Sequence, residues 1–213
     1  MGYYPLFLEM KGRRCLVVGG GPVAQRKVEG LLATEATVTV VSPELMPEMA
    51  LLRDEGRIEP RAREDRRGDL EDAARVVAAT DDAAVNQRVA REARRKGTWV
   101  NVVDEPELCD FILPSVIRRG DVVLAISTGG LSPALARWLR EELEGYLSED
   151  FDRLARLLAE TRRELRESGV SPDAEAWQRA IDGRLRELLS AGRYTEAKAR
   201  LLSMLRAGPQ IKA

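Results

Sequence analysis

A short apolar run leads directly into a glycine-rich turn at residues 15–24, which read CLVVGGGPVA. The run from Cys15 to Val18 lacks the alternation of a half-exposed strand, so it predicts a strand buried on both faces of a parallel sheet. The turn carries the spacing Gly19-x-Gly21-x-x-Ala24, which is the Gly/Ala form of the dinucleotide fingerprint. Such a turn places a pyrophosphate on the first N–H groups of the following helix. The alternative is a glycine-rich turn without a ligand.

The pattern of strand and helix repeats outward from this turn. Further strands are predicted at Thr37–Val41, more weakly at Arg57–Pro60, and at Arg75–Ala79 and Trp99–Val103; helices are predicted at Val23–Ala33 and Ala83–Lys96. Strands that alternate with helices of about ten residues are typical of βαβ units and a parallel sheet. We therefore expect a Rossmann-type α/β nucleotide-binding domain.

The pattern changes after residue 110. Two runs, Phe111–Ile117 and Val122–Ile126, are separated by a glycine-containing turn, which predicts an antiparallel hairpin. Ser132 and Pro133 predict the start of a helix, and the remainder is helical, with breaks near Gly169 and Gly192. We expect a nucleotide-binding domain over 1–112, a hairpin and helix over 113–148, and a C-terminal helical domain over 149–213. The apolar stripe of the helical region is a candidate dimer face, although packing on its own domain is the simpler alternative.

Composition excludes several classes of protein. The chain has 213 residues, with 34 Lys and Arg against 35 Asp and Glu, no His, and two Cys, Cys15 and Cys109. Without histidine there is no Ser-His-Asp catalysis and no histidine-ligated metal site. A net charge of -1 and no long apolar run argue against nucleic acid and membrane partners. Two separated cysteines and an N-terminus without signal-peptide character predict a cytoplasmic protein.

Polar residues follow the predicted strands, where ligands of open α/β sheets bind. Ser42 and Pro43 follow the second strand, Thr80 and Asp81 the fourth, and Asn101 to Asp104 lie at the end of the fifth. No arginine directly follows the second strand to take a 2′-phosphate, which favours NAD over NADP. In a protein without histidine, Asp104 is a candidate for proton transfer, whereas helix capping explains at least one of Asp81 and Asp82.

A second loop could hold an anion. Residues 127–133 read STGGLSP and precede a helix, so their hydroxyls and N–H groups suit an anionic group. An ordinary strand-to-helix connection explains the loop equally well. Arginines lie on both sides of it, at positions 118, 119, 137 and 140; by default these are solvated charges, but an anionic substrate would find partners there.

Five segments in this order resemble the precorrin-2 dehydrogenase family, the N-terminal module of siroheme synthases. They are VVGGGPVAQRK (17–27), ATDD (79–82) with NQR (86–88), NVVD (101–104), FILPS (111–115) and ISTGGLSPALA (126–136). The similarity runs from about Tyr4 to about Leu147. It implies NAD-dependent oxidation of precorrin-2 to sirohydrochlorin by a homodimer, and in some members metal insertion as well. Many members carry a fused methyltransferase domain, and we expect the standalone form here.

Motif positions and resemblance together define the candidate site. Asp104 is the expected catalytic residue and the metal-handling residue if the chain is a chelatase, since the family ties this aspartate to both activities. The expected cofactor-binding residues are Gly19, Gly20, Gly21, Pro22, Val23, Ala24, Ser42, Pro43, Thr80, Asp81 and Val102. The expected substrate-binding residues are Asn101, Phe111, Ser127, Thr128, Gly129 and Gly130. Thr128 replaces a serine found in some relatives, which weakens any carry-over of a phosphorylation site to that position.

Two other functions remain open on the residues alone. A regulatory module could bind NAD and signal through a helical dimer, and it would need the glycine turn but not Asp104. Alternatively, the chain could be an NAD-dependent dehydrogenase of another anionic metabolite, and it would then fail to bind a tetrapyrrole.

Overall fold

The structure, a computed structural model, describes residues 2–209 and divides into two units, which meet in sequence at Leu113 and Pro114. The first unit contains five parallel strands in the order β3-β2-β1-β4-β5. Its elements are β1 (Arg14–Val18), α1 (Pro22–Leu32), β2 (Thr37–Val41), α2 (Pro47–Asp54), β3 (Glu59–Arg61), β4 (Arg75–Ala78), α3 (Ala83–Lys96), β5 (Trp99–Val102) and a 3₁₀ turn (Pro106–Leu108). This arrangement confirms the predicted Rossmann-type sheet.

The central strand β1 is buried on both faces, as its unbroken apolar run predicts. Cys15 and Val17 pack into the cluster that contains Val28 of α1, whereas Leu16 and Val18 pack into the cluster that contains Val89 of α3. Helices therefore cover both faces of the sheet, and its carboxyl edge is left for the loops that carry the candidate site.

Local signals explain where the helices begin and end. Pro22 occupies the first turn of α1, where its missing N–H costs nothing. The Asp82 carboxylate caps α3 by accepting hydrogen bonds from the N–H groups of Ala84 (2.8 Å) and Val85 (3.2 Å). Gly97 ends α3 in the left-handed conformation, with φ of 68°. The observed bounds of α3 are those predicted.

Up to residue 209, the second unit contains a hairpin and five helices. Its elements are β6 (Ser115–Arg119), β7 (Val122–Ile126), α4 (Pro133–Tyr146), α5 (Asp150–Glu167), α6 (Ala174–Ala180), α7 (Gly183–Ser190) and α8 (Tyr194–Ala207). The strands pair antiparallel, with Ser115 opposite Ile126 and Arg119 opposite Val122. A separate apolar core joins α5 to α8, with the side chains of Leu157 and Leu201 fully buried. Among the described residues, no helix is both long and apolar enough to cross a membrane.

Several predicted bounds shift by one or two residues, and the larger differences concern β6, α2 and the end of α4. Strand β6 begins at Ser115 rather than Phe111, because the Phe111 carbonyl instead accepts a hydrogen bond from Asn101 Nδ2 (3.0 Å) in an irregular segment beside β5. Helix α2 was not predicted, since it is only eight residues long. The long helical run beyond Pro133 is interrupted at Leu147, whose side chain is buried and whose carbonyl accepts a hydrogen bond from Arg119 Nε (3.0 Å).

Candidate functional site

The glycine turn that follows β1 has three glycines with different surroundings. Gly19 has φ of +122°, and a Cβ there would lie 2.2 Å from the Ala79 carbonyl oxygen. A Cβ on Gly20 would lie 1.9 Å from the carbonyl oxygen of Glu44. By contrast, a Cβ on Gly21 would meet no atom of the described residues within 4 Å. Gly19 and Gly20 are thus required by the fold itself, whereas the space beside Gly21 is open to a ligand.

The start of α1 next to this open space suits a pyrophosphate. Gly21 is the N-cap residue and offers no side chain, and no other side chain of the described chain caps this helix. The N–H groups of Val23 and Ala24 lie in the first turn, where a helix has no internal acceptors. Ala24 is fully buried, so the helix packs closely on the sheet. Free N–H groups, the helix dipole and an open approach are the features by which such a turn binds a phosphate group.

At the end of β2, the hydroxyl hydrogen of Ser42 is not free for a ribose, because it is already bound within the loop. Ser42 Oγ donates to the Glu44 carbonyl (2.6 Å), and the Ser42 N–H donates to the Arg61 carbonyl (3.2 Å). The Ser42 hydroxyl oxygen keeps its acceptor capacity for a ribose hydroxyl, and Pro43 beside it is exposed. An arginine does lie here, at the end of β3, although none follows β2 in sequence.

The guanidinium of that Arg61 is already paired. Asp69, a buried carboxylate, accepts hydrogen bonds from Arg61 Nη1 (2.6 Å) and from both terminal nitrogens of Arg63 (2.6 and 2.7 Å). The bidentate Arg63 contact, followed by the N–H of Arg66 and by Arg61, lowers the pKa of Asp69 from 3.8 to about 2. These charges therefore stabilise the loop after β3.

The loop after β4 is tied to the loop after β5 by one buried amide. Asn86 Nδ2 donates to the Thr80 carbonyl (3.0 Å) and to Glu105 Oε1 (3.3 Å). The Thr80 hydroxyl donates in turn to Asn86 Oδ1 (2.9 Å). Asp81 is exposed, whereas the Asp82 carboxylate caps α3. Thr80 and Asp81 thus lie at the carboxyl edge of the sheet, next to the glycine turn, since Ala79 contacts Gly19.

The end of β5 is organised by Cys109. The Cys109 sulfur accepts a hydrogen bond from the Val102 N–H (3.1 Å) and lies 3.5 Å from Asn101 Nδ2. Burial raises the pKa of the Cys109 thiol, and the nearby carboxylates of Asp110 and Glu107 act in the same direction. Asn101 and Val102 are therefore held beside Cys109 at the end of β5. Phe111 instead packs against Arg75, the first residue of β4, whose guanidinium carbon lies 4.8 Å from the centre of the Phe111 ring, so the structure places Phe111 towards the amino-terminal end of the strands and away from the carboxyl edge.

Asp104 follows β5 in a tight turn. Its φ is 60°, in the left-handed region that aspartate tolerates better than most residues. The residue is exposed, and within residues 2–209 its carboxylate makes no hydrogen bond and no ion pair closer than 4 Å. Both carboxylate oxygens are consequently available to a substrate.

Lys27 of α1 lies within electrostatic range of the same turn. Its side chain is half-buried, and burial together with the charge of Arg26 lowers the pKa of the ammonium, while Asp104 and Cys109 oppose that shift. A positively charged group therefore lies near the candidate catalytic carboxylate without a direct ion pair to it.

The candidate substrate loop belongs to the second unit, where it connects β7 to α4. The Thr128 hydroxyl donates to the Ser132 carbonyl (3.0 Å) and accepts from the Ser132 N–H (3.0 Å). Ser127 Oγ accepts from the Gly129 N–H (3.0 Å). Gly129 and Gly130 both have positive φ, 65° and 85°. The loop is therefore a hydrogen-bonded turn whose glycines are needed for its backbone conformation.

The nearby arginines divide into two kinds. Arg119 and Arg140 both form ion pairs with Glu144, at 3.5 and 2.5 Å. Arg118 and Arg137 are exposed and form no ion pair within the described part of the chain. Only the second pair keeps its guanidinium groups available for an anionic substrate.

Sequence reasoning missed two residues of this site. Asn86 links the two loops but looks like an ordinary polar residue of α3; only its place in the family-like segment 86–88 marks it. Lys27 lies three residues after the buried Ala24 and four before the buried Leu31, and this spacing places it on the inner flank of α1. A lysine at such a position is the signal that could have identified it.

Comparisons with known proteins agree with this geometry. A family model described as "Putative NAD(P)-binding" matches residues 6–115, and one described as "Sirohaem biosynthesis protein central" matches residues 119–146. Proteins named siroheme synthase from Thioalkalivibrio sulfidiphilus and Methylococcus capsulatus are each 44% identical, over 98% and 95% of this chain. The chain spans 43% of the length of each. A solved structure titled "SirC, precorrin-2 dehydrogenase" is 30% identical with a TM-score of 0.77, covering 94% of this chain and all of that one.

The fold and the glycine turn define an NAD(P)-binding protein of Rossmann type, whose cofactor is NAD. More narrowly, the chain belongs to the precorrin-2 dehydrogenase family, the NAD-binding module of siroheme synthases. The predicted resemblance is thereby confirmed.

Proposed function

We propose that this protein oxidises precorrin-2 to sirohydrochlorin with NAD as the oxidant. The observation that carries the proposal is the placement of an unengaged carboxylate, Asp104, at the carboxyl edge of a sheet whose glycine turn leaves open space beside Gly21. The likeness to a structure titled precorrin-2 dehydrogenase along its whole length supports the substrate.

Different residues of the chain bind the cofactor and accept the proton. The N–H groups of Val23 and Ala24 hold the pyrophosphate, with Gly21 allowing its close approach, and Ser42 accepts a hydrogen bond from a ribose hydroxyl. Thr80, Asp81 and Val102 border the same edge. When bound, NAD supplies the acceptor for the hydride that leaves the substrate. The Asp104 carboxylate accepts the proton that leaves with it, so the substrate loses one hydride and one proton in total.

Precorrin-2 carries many carboxylates, so its binding needs cations and N–H donors. We propose that Asn101 contacts the macrocycle, and that Ser127, Thr128, Gly129 and Gly130 form a turn that receives a carboxylate. Phe111, which packs on Arg75 at the start of β4, is less suited to this role. Arg118 and Arg137 add positive charge to the second unit.

We extend the proposal to metal insertion into sirohydrochlorin. The Asp104 carboxylate is free of other partners, so it can hold a divalent cation briefly and release it to the macrocycle. A carboxylate oxygen suits iron or cobalt weakly enough for such transfer. Among the described residues no group of three or more His, Cys, Asp or Glu side chains that could hold a metal ion is found.

We also propose that the protein acts as a homodimer in a reducing cytoplasm. Leu131, Leu135, Trp138 and Tyr146 of the second unit are exposed apolar side chains, which a second copy would cover. Both cysteines are free thiols, in keeping with such a compartment.

An anaerobic assay with precorrin-2 generated in situ tests the proposal. We expect NADH to form together with the sirohydrochlorin spectrum, and Asp104→Asn to lower kcat about 100-fold or more while the Kd for NAD stays unchanged. Asparagine keeps the left-handed turn, so folding should be preserved. Glu107→Gln, an exposed carboxylate in the same loop, is the matched control.

Each alternative has its own outcome. NAD binding without NADH formation would favour the regulatory module, and undiminished turnover of Asp104→Asn would remove the proposed role of that residue. A spectral shift with Co²⁺ that requires the enzyme supports metal insertion, whereas a shift equal to the enzyme-free control refutes it.

A further inference from the structure

Lys27 is a half-buried cation without a direct partner. Within residues 2–209 its ammonium forms no ion pair within 4 Å and no hydrogen bond. Burying a charge without pairing it is unfavourable, so the ammonium of such a lysine must either reach solvent or lie near an anion. Its neighbour Arg26 adds a second positive charge and makes the position less favourable still.

The fold explains why the side chain points inward. Ala24, Val28 and Leu31 form the buried stripe of α1, and Lys27 lies on its flank. The opposite flank carries Leu32, which packs on the core shared with α2. Lys27 therefore lies on the flank of α1 opposite Leu32, and Asp104, in the turn after β5, is the carboxylate whose charge acts on it.

No hydrogen bond or close ion pair from the described residues orients the Asp104 carboxylate. The carboxylate accepts no hydrogen bond from the described residues, and it projects from an exposed left-handed turn. A proton acceptor must be held in one geometry to be effective, because small displacements of a reacting group cost large factors in rate.

We propose that Lys27 is a positioning residue for Asp104: its ammonium attracts and orients the carboxylate that accepts the proton. This inference rests on the proposed function, since it assigns Asp104 a reaction to serve. A lysine is suited to the task because its flexible stem delivers a compact charge over several ångströms.

A purely structural role is the competing explanation. In that case the aliphatic stem of Lys27 covers the flank of α1 and the charge only reaches solvent. Lys27→Met keeps the apolar stem and removes the charge, so it separates the two explanations. Arg26→Met, which removes an equal charge from the exposed position next to it, is the matched control.

In the anaerobic precorrin-2 assay, we expect Lys27→Met to lower kcat about tenfold or more, with the KM for precorrin-2 changed less than about twofold. The Kd for NAD should not change, and the thermal midpoint should stay equal or rise, since an unpaired charge has been removed from a half-buried site. Lys27→Arg should recover most of the lost kcat, and Arg26→Met should retain it.

A double-mutant cycle tests whether Lys27 acts through Asp104. If it does, Lys27→Met combined with Asp104→Asn should be no slower than Asp104→Asn alone, because the group to be positioned is already absent. If the kcat losses of the two single variants multiply in the double variant, the inference is overturned. A raised KM with unchanged kcat for Lys27→Met would also overturn it, because that result indicates direct binding of a substrate carboxylate. Failure of the wild-type protein to form NADH would refute the proposed function instead, whereas normal wild-type turnover with a fully active Lys27→Met would refute only this inference.

Discussion

Substituting Gly21 with alanine separates cofactor binding from folding. In the structure the new methyl group would meet no atom within 4 Å, and the Gly21 backbone angles, φ of -89° and ψ of -173°, are accessible to alanine. The folded protein should therefore accept Gly21→Ala without strain. A bound pyrophosphate, however, would have to occupy the space that the methyl group takes.

The expected magnitudes follow from this geometry. Restricting the unfolded chain should raise the free energy of unfolding by about 0.4–1 kcal/mol. That gain corresponds to about 1–4 °C in the thermal midpoint for a protein of this size. Displacing the pyrophosphate from close contact should weaken NAD binding about 10- to 100-fold, or about 1.4–2.8 kcal/mol. Isothermal titration calorimetry with NAD and a thermal melt measure the two effects.

Gly20→Ala provides the contrast. Its methyl group would lie 1.9 Å from the Glu44 carbonyl oxygen, so the loop after β2 would have to move by about 1.5 Å to reach ordinary contact. We expect a loss of about 1–3 kcal/mol in the free energy of unfolding.

If Gly21→Ala binds NAD as tightly as the wild type, the pyrophosphate does not lie on this turn and the assignment of the site is wrong.

Three further predictions concern stability. The pKa of Asp69 is lowered from 3.8 to about 2 in the folded protein, so its contribution of about 2 kcal/mol is present above pH 4 and disappears as the pH falls towards 2; Asp69→Asn should abolish that part of the acid transition, and an unchanged transition would contradict the pairing. Asp82→Ala removes the cap of α3 and should cost about 1 kcal/mol in urea unfolding, with Asp81→Ala as the exposed comparison. Gly120→Ala should cost about 1 kcal/mol or more, because Gly120 has φ of 56° and its Cβ would meet the Asp152 carboxylate; an equal thermal midpoint would refute this.

The elements that were predicted well are those with complete local signals. Helix α3 has an aspartate cap at its start and a left-handed glycine at its end, so its bounds follow from short-range chemistry. Strand β1 and its glycine turn are equally local. The end of α4 was missed because its local signals, Gly145 and Ser148, are weak and a distant contact supports it: Arg119, 28 residues earlier, donates a hydrogen bond to the Leu147 carbonyl.

The candidate site divides in the same way. Gly19 and Gly21 were identified from spacing, and Asp104 from its position after an apolar strand. The structure adds three facts. A side chain at Gly20 would collide with the Glu44 carbonyl, the Ser42 hydroxyl donates its hydrogen to that same carbonyl, and Arg119 and Arg140 both form ion pairs with Glu144. The contacts of Gly20 with Glu44 and of Arg119 with Glu144 join residues far apart in sequence, so no local pattern predicts them. By contrast, Arg140 and Glu144 are an i,i+4 pair on one helix, which the sequence could have indicated.

The class of the protein follows from consecutive residues: a buried strand, a glycine turn and a helix start adjoin one another, and the chemistry of dinucleotide binding needs only their local conformation. Which charged groups are free to act was decided only by the tertiary structure. Whether Arg61 is available or bound to Asp69, and whether Lys27 has an anion near it, depends on which helices and loops the sheet brings together. A charge is free or paired according to its neighbours in space, and those neighbours are set by packing.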